Sequence, residues 1–437
     1  MARKTASKRR IRVVTNRLRT IKALAAVSAG MALLVGGYQV VRFNLSPARA
    51  FAPAPAFAPA PVLAPAPAAT HALGPAPVLV PAPAATHPHA GKLSISISGN
   101  HFVNQDGATV RLLGINRSGT QYACAEGWGI FDGPSDNASI ASIKKWGVTA
   151  VRINGNEDCW LGINGVKAKY SGANYRAAIG DYVNRINALG MYVIFDLHHS
   201  APGTMLAKGQ QPMADRDHAP AYWSSVASYF KNNHAVLFDL YNEPYPDSNH
   251  DTTAAWRCVR NGGTCPGVNF TAAGMQELVR AVRATGAMNP ILIGGPQYAG
   301  DLDRWTAYKP ADPANQLAAS VHIYYNTPAD PEWAPCDYLS CWTSTMAPLA
   351  ATTPIVIGEV GERDCNYDLI YGRGLSPTQP SLLDWADQHG ISYLGWSWIA
   401  NGGSNCTEEP SLVSDYSGTP TKYGLGIKSH LLSLHGG

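Results

Sequence analysis

Glu243 and Glu359 each follow a short apolar run, in Phe238-Asp-Leu-Tyr-Asn-Glu-Pro244 and in Pro354-Ile-Val-Ile-Gly-Glu359. An ionised carboxylate behind a buried strand is costly unless it is paired or working, so two of them point to acid/base or nucleophilic chemistry at one mouth. Two carboxyl groups about 5 to 5.5 Å apart, one protonated and one charged, can protonate a leaving oxygen and attack the neighbouring carbon. Their surroundings must then differ. A nearby Arg152 would favour the charged form of Glu359, and the charge of Glu359 would in turn push the pKa of Glu243 upward.

Other polar side chains collect where apolar runs end: Asn116 and Arg117, Arg152 and Asn154, His198 and His199, Asn242, His322 and Tyr324, Trp396 and Trp398. Eight runs read as strands, at 110–115, 149–153, 192–197, 236–241, 291–293, 319–323, 355–357 and 393–398. Helical periodicity separates most of them, at 139–146, 175–189, 221–232, 272–285 and 381–389, and the link between the fifth and sixth runs is the poorest helix. A short hairpin, 93–97 with 101–103, opens the domain. Near-continuous Val/Ile/Leu runs imply strands buried on both faces, so the expected fold class is α/β, a closed (β/α)8 TIM barrel. A doubly wound sheet is the competing architecture, but Gly114-Ile-Asn-Arg-Ser-Gly119 lacks the glycine spacing of a phosphate turn. In a barrel the strand ends open on one face, where these residues would converge.

The charge of the chain is divided along its length. Eleven of the 34 Lys and Arg lie in the first fifty residues with no acid, so the other 387 residues carry 23 basic and 30 acidic groups, a net of −7. Such a body does not suit a nucleic-acid partner, which demands concentrated positive charge. Residues 23–41 are largely apolar, follow the basic run and precede Ala48-Arg49-Ala50. Residues 1–50 therefore read as a signal peptide cleaved after Ala50 or, uncleaved, as a membrane anchor, the only membrane contact expected. Residues 51–91 form an Ala/Pro tract with a near-repeat ending at His71 and His87. This is a stiff spacer without a core, and its histidines (His89 with them) read as solvated. Residues 92–437 are the folded domain, expected to be monomeric and secreted or tethered to the envelope.

All eight cysteines follow the signal, which fits four disulfides in an exported chain. Local pairing would join Cys258 to Cys265 and Cys336 to Cys341, leaving Cys124 with Cys159 and Cys365 with Cys406. Irregular spacing without C-x-x-C argues against structural zinc.

The ordered set Val-Arg152-Ile, Asp-Leu-His198, Asn242-Glu243-Pro244, His322-Ile-Tyr324, Ile-Gly-Glu359 and Gly-Trp396-Ser-Trp398 resembles glycoside hydrolase family five, the cellulase and mannanase family of retaining (β/α)8 enzymes, over nearly all of 92–437. The resemblance implies that Glu243 is the general acid/base and Glu359 the nucleophile. It further implies that Asn242 bonds the sugar 2-hydroxyl, Arg152 keeps Glu359 ionised, His322 neighbours the acid/base and Tyr324 touches the nucleophile. His198 would line the central subsite, and Trp398 would be the sugar platform with Trp396, two residues back, as the alternative.

The implied partner is a β-linked polysaccharide or oligosaccharide, cleaved without metal or organic cofactor. A β-1,4-glucan is the first expectation; β-mannan, mixed-linkage or β-1,3-glucan and exo-acting β-glucosidase chemistry are alternatives. A glycan-binding protein without catalysis would lose a carboxylate, and a metal hydrolase built on His198, His199 and His322 lacks an H-x-H pair. The stretch from Asn116 to Cys124 departs from the best-known cellulases. Trp128, Trp160, Trp305, Trp333 and Trp342 lie in long loops and could stack on an extended sugar chain or simply pack. Glu362 and Asp364 read as loop or subsite residues. Glu126, Glu157 and Asp158 could bond sugar hydroxyls or be solvated.

Overall fold

Eight parallel strands close on themselves in sequence order: β1 (Leu113–Arg117), β2 (Ala150–Asn156), β3 (Tyr192–His199), β4 (Val236–Asp239), β5 (Ile291–Gly294), β6 (Leu317–Tyr325), β7 (Ile355–Glu362) and β8 (Ser392–Gly395). Closure comes from β8 pairing with β1, Tyr393 opposite Leu113. The computed structural model describes residues 92–325, 336, 339–362, 380–400 and 410–434. The signal, the apolar run 23–41, the Ala/Pro tract, Trp333, Asp364 and the Cys365–Cys406 pairing all lie outside them. Among the described residues no helix is long and apolar enough to cross a membrane.

Helices fill the crossovers: α1 (Asn137–Lys144), α2 (Ala173–Ala188), α3 (Ala219–Phe230), α4 (Thr253–Asn261), α5 (Met275–Arg283), α6 (Leu382–Gln388) and, after β8, α7 (Lys422–Ser433). Their starts follow capping chemistry. Asp136 accepts from the Ser139 N–H at the head of α1, and Pro220 sits in the first turn of α3, where a missing N–H costs nothing. Between β5 and β6 only a single turn, Trp305–Tyr308, is helical, as the weak periodicity there implied. The opening hairpin is a three-stranded ribbon, Ile95–Ser98, His101–Asn104 and Thr109–Val110.

Two-residue alternation along the strands explains where the core ends and the site begins. Val151, Ile153, Val193, Phe195, Val236 and Phe238 belong to the large cluster with the helices. Ala150, Tyr192, Ile194, Leu237, Leu292 and Leu394 belong to a separate cluster with Ile95 and Phe102 of the ribbon. The second set continues toward the strand ends as Arg152 and Asn154, Asp196 and His198, and Asp239, all buried. The barrel interior is thus apolar at the ribbon end and polar at the other.

Glu359 reaches this lining through an irregularity. The β6–β7 register runs Val321 with Ile357 and then His322 with Glu359, leaving Gly358 unpaired. A bulge moves the next side chain to the opposite face of the strand. A Cβ there would lie 3.0 Å from His322 Nε2 and 3.1 Å from Ser320 Oγ, a tight approach that glycine avoids.

Candidate active site

Arg152 is the hub. Its fully buried guanidinium donates from Nη1 to Glu359 Oε1 at 2.7 Å and to Asn116 Oδ1 at 3.0 Å, from Nη2 to Asn242 Oδ1 at 2.8 Å, and from Nε to Asp239 Oδ2 at 3.0 Å. Nη2 also lies 2.8 Å from Asp196 Oδ2. Burial opposes this charge, but Asp196, Asp239 and Glu359 together outweigh it, and the arginine is held more firmly charged than in water. A fork with five donors is the side chain that can serve so many oxygens.

The surrounding acids diverge because one cation cannot compensate them all. Despite its burial, Asp196 is held down at about 2 by Arg152 and His198. Burial pushes Asp239 up to about 7, with Arg152 opposing and Asp196 adding to the rise.

The two glutamates sit in different settings. One carboxylate oxygen of Glu243, one of Glu359 and a ring nitrogen of His322 all lie within 4.8 Å of one another. Glu359 also accepts from the Tyr324 hydroxyl at 2.5 Å, and burial keeps that phenol protonated. Glu243 meets His322 Nδ1 at 2.8 Å and accepts from Gln210 Nε2 at 2.5 Å. Its pKa is raised chiefly by burial, which replaces the expected main cause, the charge of Glu359. Burial also pushes His322 down to about 3, so the ring is neutral at working pH. A neutral ring can donate to a carboxylate or accept from a carboxylic acid, so Glu243 keeps a partner in either state.

Gln210 is the one donor whose removal should change this balance in a predictable sense. Its N–H favours the charged form of Glu243. In Gln210→Leu the alkaline limb of kcat/KM is expected to move to higher pH by about one pH unit, the scale of one charge-assisted hydrogen bond. A pH–rate profile of both proteins checks this, and an unmoved or lowered limb would contradict it.

His198, 6 % exposed, meets Asp196 Oδ2 at 2.8 Å and stacks on Trp396 with ring centres 5.5 Å apart and planes 10° apart. The expectation for Trp398 fails. Its ring is fully buried, edge-on to Trp146 at 4.8 Å, and belongs to the core. β8 ends at Gly395, so alternation does not put both tryptophans on one face, and Trp396 is the residue at the mouth. Trp396→Ala is expected to raise KM for an oligosaccharide with the melting temperature nearly unchanged. Trp398→Ala should cost about 3 kcal/mol of stability with KM preserved. Kinetics and thermal melts of both variants separate the two roles.

Most other loop aromatics and acids also turn out structural. Trp160, Trp305 and Trp342 are buried, whereas Trp128 is exposed near Tyr122. Glu157, Asp158 and Glu362 are buried, Asp158 accepting from the Ala207 N–H, and Glu126 pairs with Lys208 on the surface. Arg117 donates to the backbone carbonyls of Ser118, Asp132 and Pro134 and pins its own loop. Three of the expected disulfides form, Cys124–Cys159, Cys258–Cys265 and Cys336–Cys341.

Three members of the site were not singled out from sequence, and a fourth was seen without its role. Asp196 and Asp239 had a usable signal, an acid at an inward position of a buried strand. Asn116 was seen at a strand end but not as a ligand of Arg152. Gln210 comes from a loop without periodicity and left no signal.

Comparison with known proteins agrees with this fold. The model of the cellulase family (glycosyl hydrolase family 5) matches residues 103–402. A mannan endo-1,4-β-mannosidase from Streptomyces lividans is 23 % identical over 330 residues, 72 % of this chain and 70 % of that protein. Endoglucanase A from Butyrivibrio fibrisolvens is 27 % identical over 238 residues, 53 % of this chain and 46 % of its own length. Among solved structures, a β-glucanase from Saccharophagus degradans (TM-score 0.55, 19 % identity, 81 % of this chain and 98 % of that one) has the same fold. So does an endocellulase from Pyrococcus horikoshii (0.57, 19 %, 78 % and 98 %). With the family model spanning well over half the chain and a closed eight-stranded barrel beneath it, the protein belongs to glycosyl hydrolase family 5, the cellulase family.

Proposed function

We propose that the chain is a retaining endo-acting β-glycanase in which Glu243 is the acid/base and Glu359 the nucleophile. The observation that carries this reading is the close approach of two carboxyls with opposite surroundings, one beside an arginine and a tyrosine, the other beside a neutral histidine. Oxygens within 4.8 Å of one another suit the separation of about 5 to 5.5 Å between the carboxyls of a retaining pair rather than the wider gap of an inverting one.

Glu243, protonated, gives its proton to the glycosidic oxygen as that oxygen leaves. Glu359 attacks the anomeric carbon from the opposite face and forms a covalent glycosyl-enzyme. Water then attacks the same carbon while Glu243 takes its proton, and Glu359 is released with the configuration at carbon retained. Arg152 and Tyr324 hold the attacking carboxylate oriented, Asn242 bonds the sugar 2-hydroxyl in this reading, and His198 with Trp396 offers an apolar face for a pyranose ring.

A β-1,4-glucan is the first substrate, supported by the endoglucanase relative and by the family. β-1,4-Mannan is the second reading, favoured because the mannosidase relative aligns over more of this chain than the endoglucanase does. Export is part of the proposal, supported by the basic-then-apolar N-terminal sequence and by the disulfides. The test is hydrolysis of carboxymethyl cellulose, mannan, laminarin and aryl glycosides with product lengths resolved. Internal cleavage of a β-1,4-linked polymer is expected; turnover of aryl glycosides alone would defeat the endo reading.

A further inference from the structure

A second titratable cluster plays no part in the chemistry above. Glu157 directly follows β2, and Asp215 and His218 close the loop between β3 and α3. Both carboxyls are fully buried, the imidazole is 17 % exposed, and one ligand atom from each lies within 4.8 Å of the others. Glu157 Oε1 receives only a long contact from the Ala201 N–H, 3.4 Å, and Asp215 Oδ1 accepts from the His218 N–H at 2.9 Å. With both acids charged, Glu157 Oε2, Asp215 Oδ2 and His218 Nδ1 are buried and receive no hydrogen bond, although the two carboxyls can share one if either is protonated and Nδ1 lies 3.6 Å from Asp215 Oδ1. Among the described residues no Lys or Arg pairs with either acid.

Two adjoining buried carboxyls without a cation cannot both ionise, and burial raises the pKa of each. Either one keeps a proton and donates it to the other, or a metal ion neutralises both. We propose that a divalent cation of the zinc or manganese class binds here, ligated by Glu157 Oε2, Asp215 Oδ2 and His218 Nδ1, with water completing its shell. One imidazole and two carboxylates suit these ions, whereas calcium prefers an all-oxygen shell. The His218 N–H holds Asp215 Oδ1 and the Ala201 N–H reaches Glu157 Oε1 more loosely, outer support of the kind that orients ligands.

The ion is structural. It ties Glu157, two residues before Cys159 of the Cys124–Cys159 bridge, to the loop that carries Gln210 to Glu243. Occupancy would therefore steady the partner of the acid/base.

The experiment is titration calorimetry of the tag-free full-length chain, stripped with chelator, against Zn²⁺, Mn²⁺ and Ca²⁺, with thermal melts of the same samples. One equivalent of Zn²⁺ or Mn²⁺ is expected to bind and to raise the melting temperature by a few degrees. Binding should be lost in Glu157→Gln and in His218→Ala and retained in Glu243→Gln, which distinguishes this site from the Glu243–His322–Glu359 cluster. Absence of binding to the wild type, a preference for Ca²⁺ over both other ions, binding that survives in His218→Ala, or loss in Glu243→Gln would each overturn the proposal. Because His218 is partly exposed, its variant is expected to fold even if Glu157→Gln does not.

Discussion

Replacing Glu359 by Gln is expected to lower kcat on a β-linked glycan by at least about 10⁴-fold, because among the described residues Glu359 is the carboxylate held by both Arg152 and Tyr324 and the amide cannot form the covalent intermediate. The amide keeps the shape and part of the hydrogen bonding, so circular dichroism and melting should stay near wild type. Glu243→Gln should lose about 10²- to 10⁴-fold on the same glycan, the range for removal of a general acid. The two variants part on an aryl glycoside whose phenolate leaves without a proton. There Glu243→Gln should regain much of its first-step rate, while Glu359→Gln should remain as slow as on the glycan. A Glu359→Gln enzyme that is fast on either substrate would remove the assignment.

Arg152→Met should be the most damaging change to the fold within the site. It strips the positive partner from Asp196, Asp239 and Glu359, whose side chains are almost entirely inside the protein. Breaking a buried ion pair by removing one member costs about 3 to 5 kcal/mol, because the charge left behind is uncompensated. The pH dependence follows from the sign of the shifts. In the wild type, Asp196 is depressed to about 2, so its contribution is present above the unfolded value, near 3.9, and is lost as pH falls toward 2. Without Arg152, burial would raise that carboxyl above its unfolded value. Its contribution would then be greatest below about pH 4 and would be lost as pH rises through the new folded pKa. The melting-temperature gap between wild type and Arg152→Met should accordingly widen from pH 4 to pH 7. A constant gap would mean that packing, not charge, dominates. Arg152→Lys keeps the charge but cannot serve five partners, so it should melt between the two and still be nearly inactive.

How much of this could be read from sequence depends on which interaction decides each feature. The eight strands were legible because burial on both faces demands continuous apolar runs, and all eight appear, with β1 starting later than expected and β6 and β7 running longer. Glu243, Glu359, Arg152, His322 and Tyr324 were legible as strand-end polar residues in a fixed order. The faces of the last strand were not. Alternation failed for Trp396 and Trp398 because β8 stops before them, and which ring packs on Trp146 is a tertiary matter. The bulge at Gly358, which turns Glu359 inward, is invisible to a period-two pattern for the same reason. The cause of the raised Glu243 pKa also depends on three-dimensional burial, which spacing along a chain does not report. Loop residues were the least legible. Gln210 enters the site and Trp160 and Trp305 leave it, because a loop's path is set by contacts such as Asp158 with the Ala207 N–H rather than by periodicity.

The most direct test of the paired-glutamate account is the configuration of the newly formed reducing end, followed by proton NMR during the opening minutes of hydrolysis of a soluble β-linked oligosaccharide. The close carboxyl pair predicts that the new reducing end, on the fragment that water releases from Glu359, appears first as the β-anomer and only later mutarotates. Initial release of the α-anomer would contradict it, because a single displacement by water would then be the chemistry and Glu359 could not be the nucleophile.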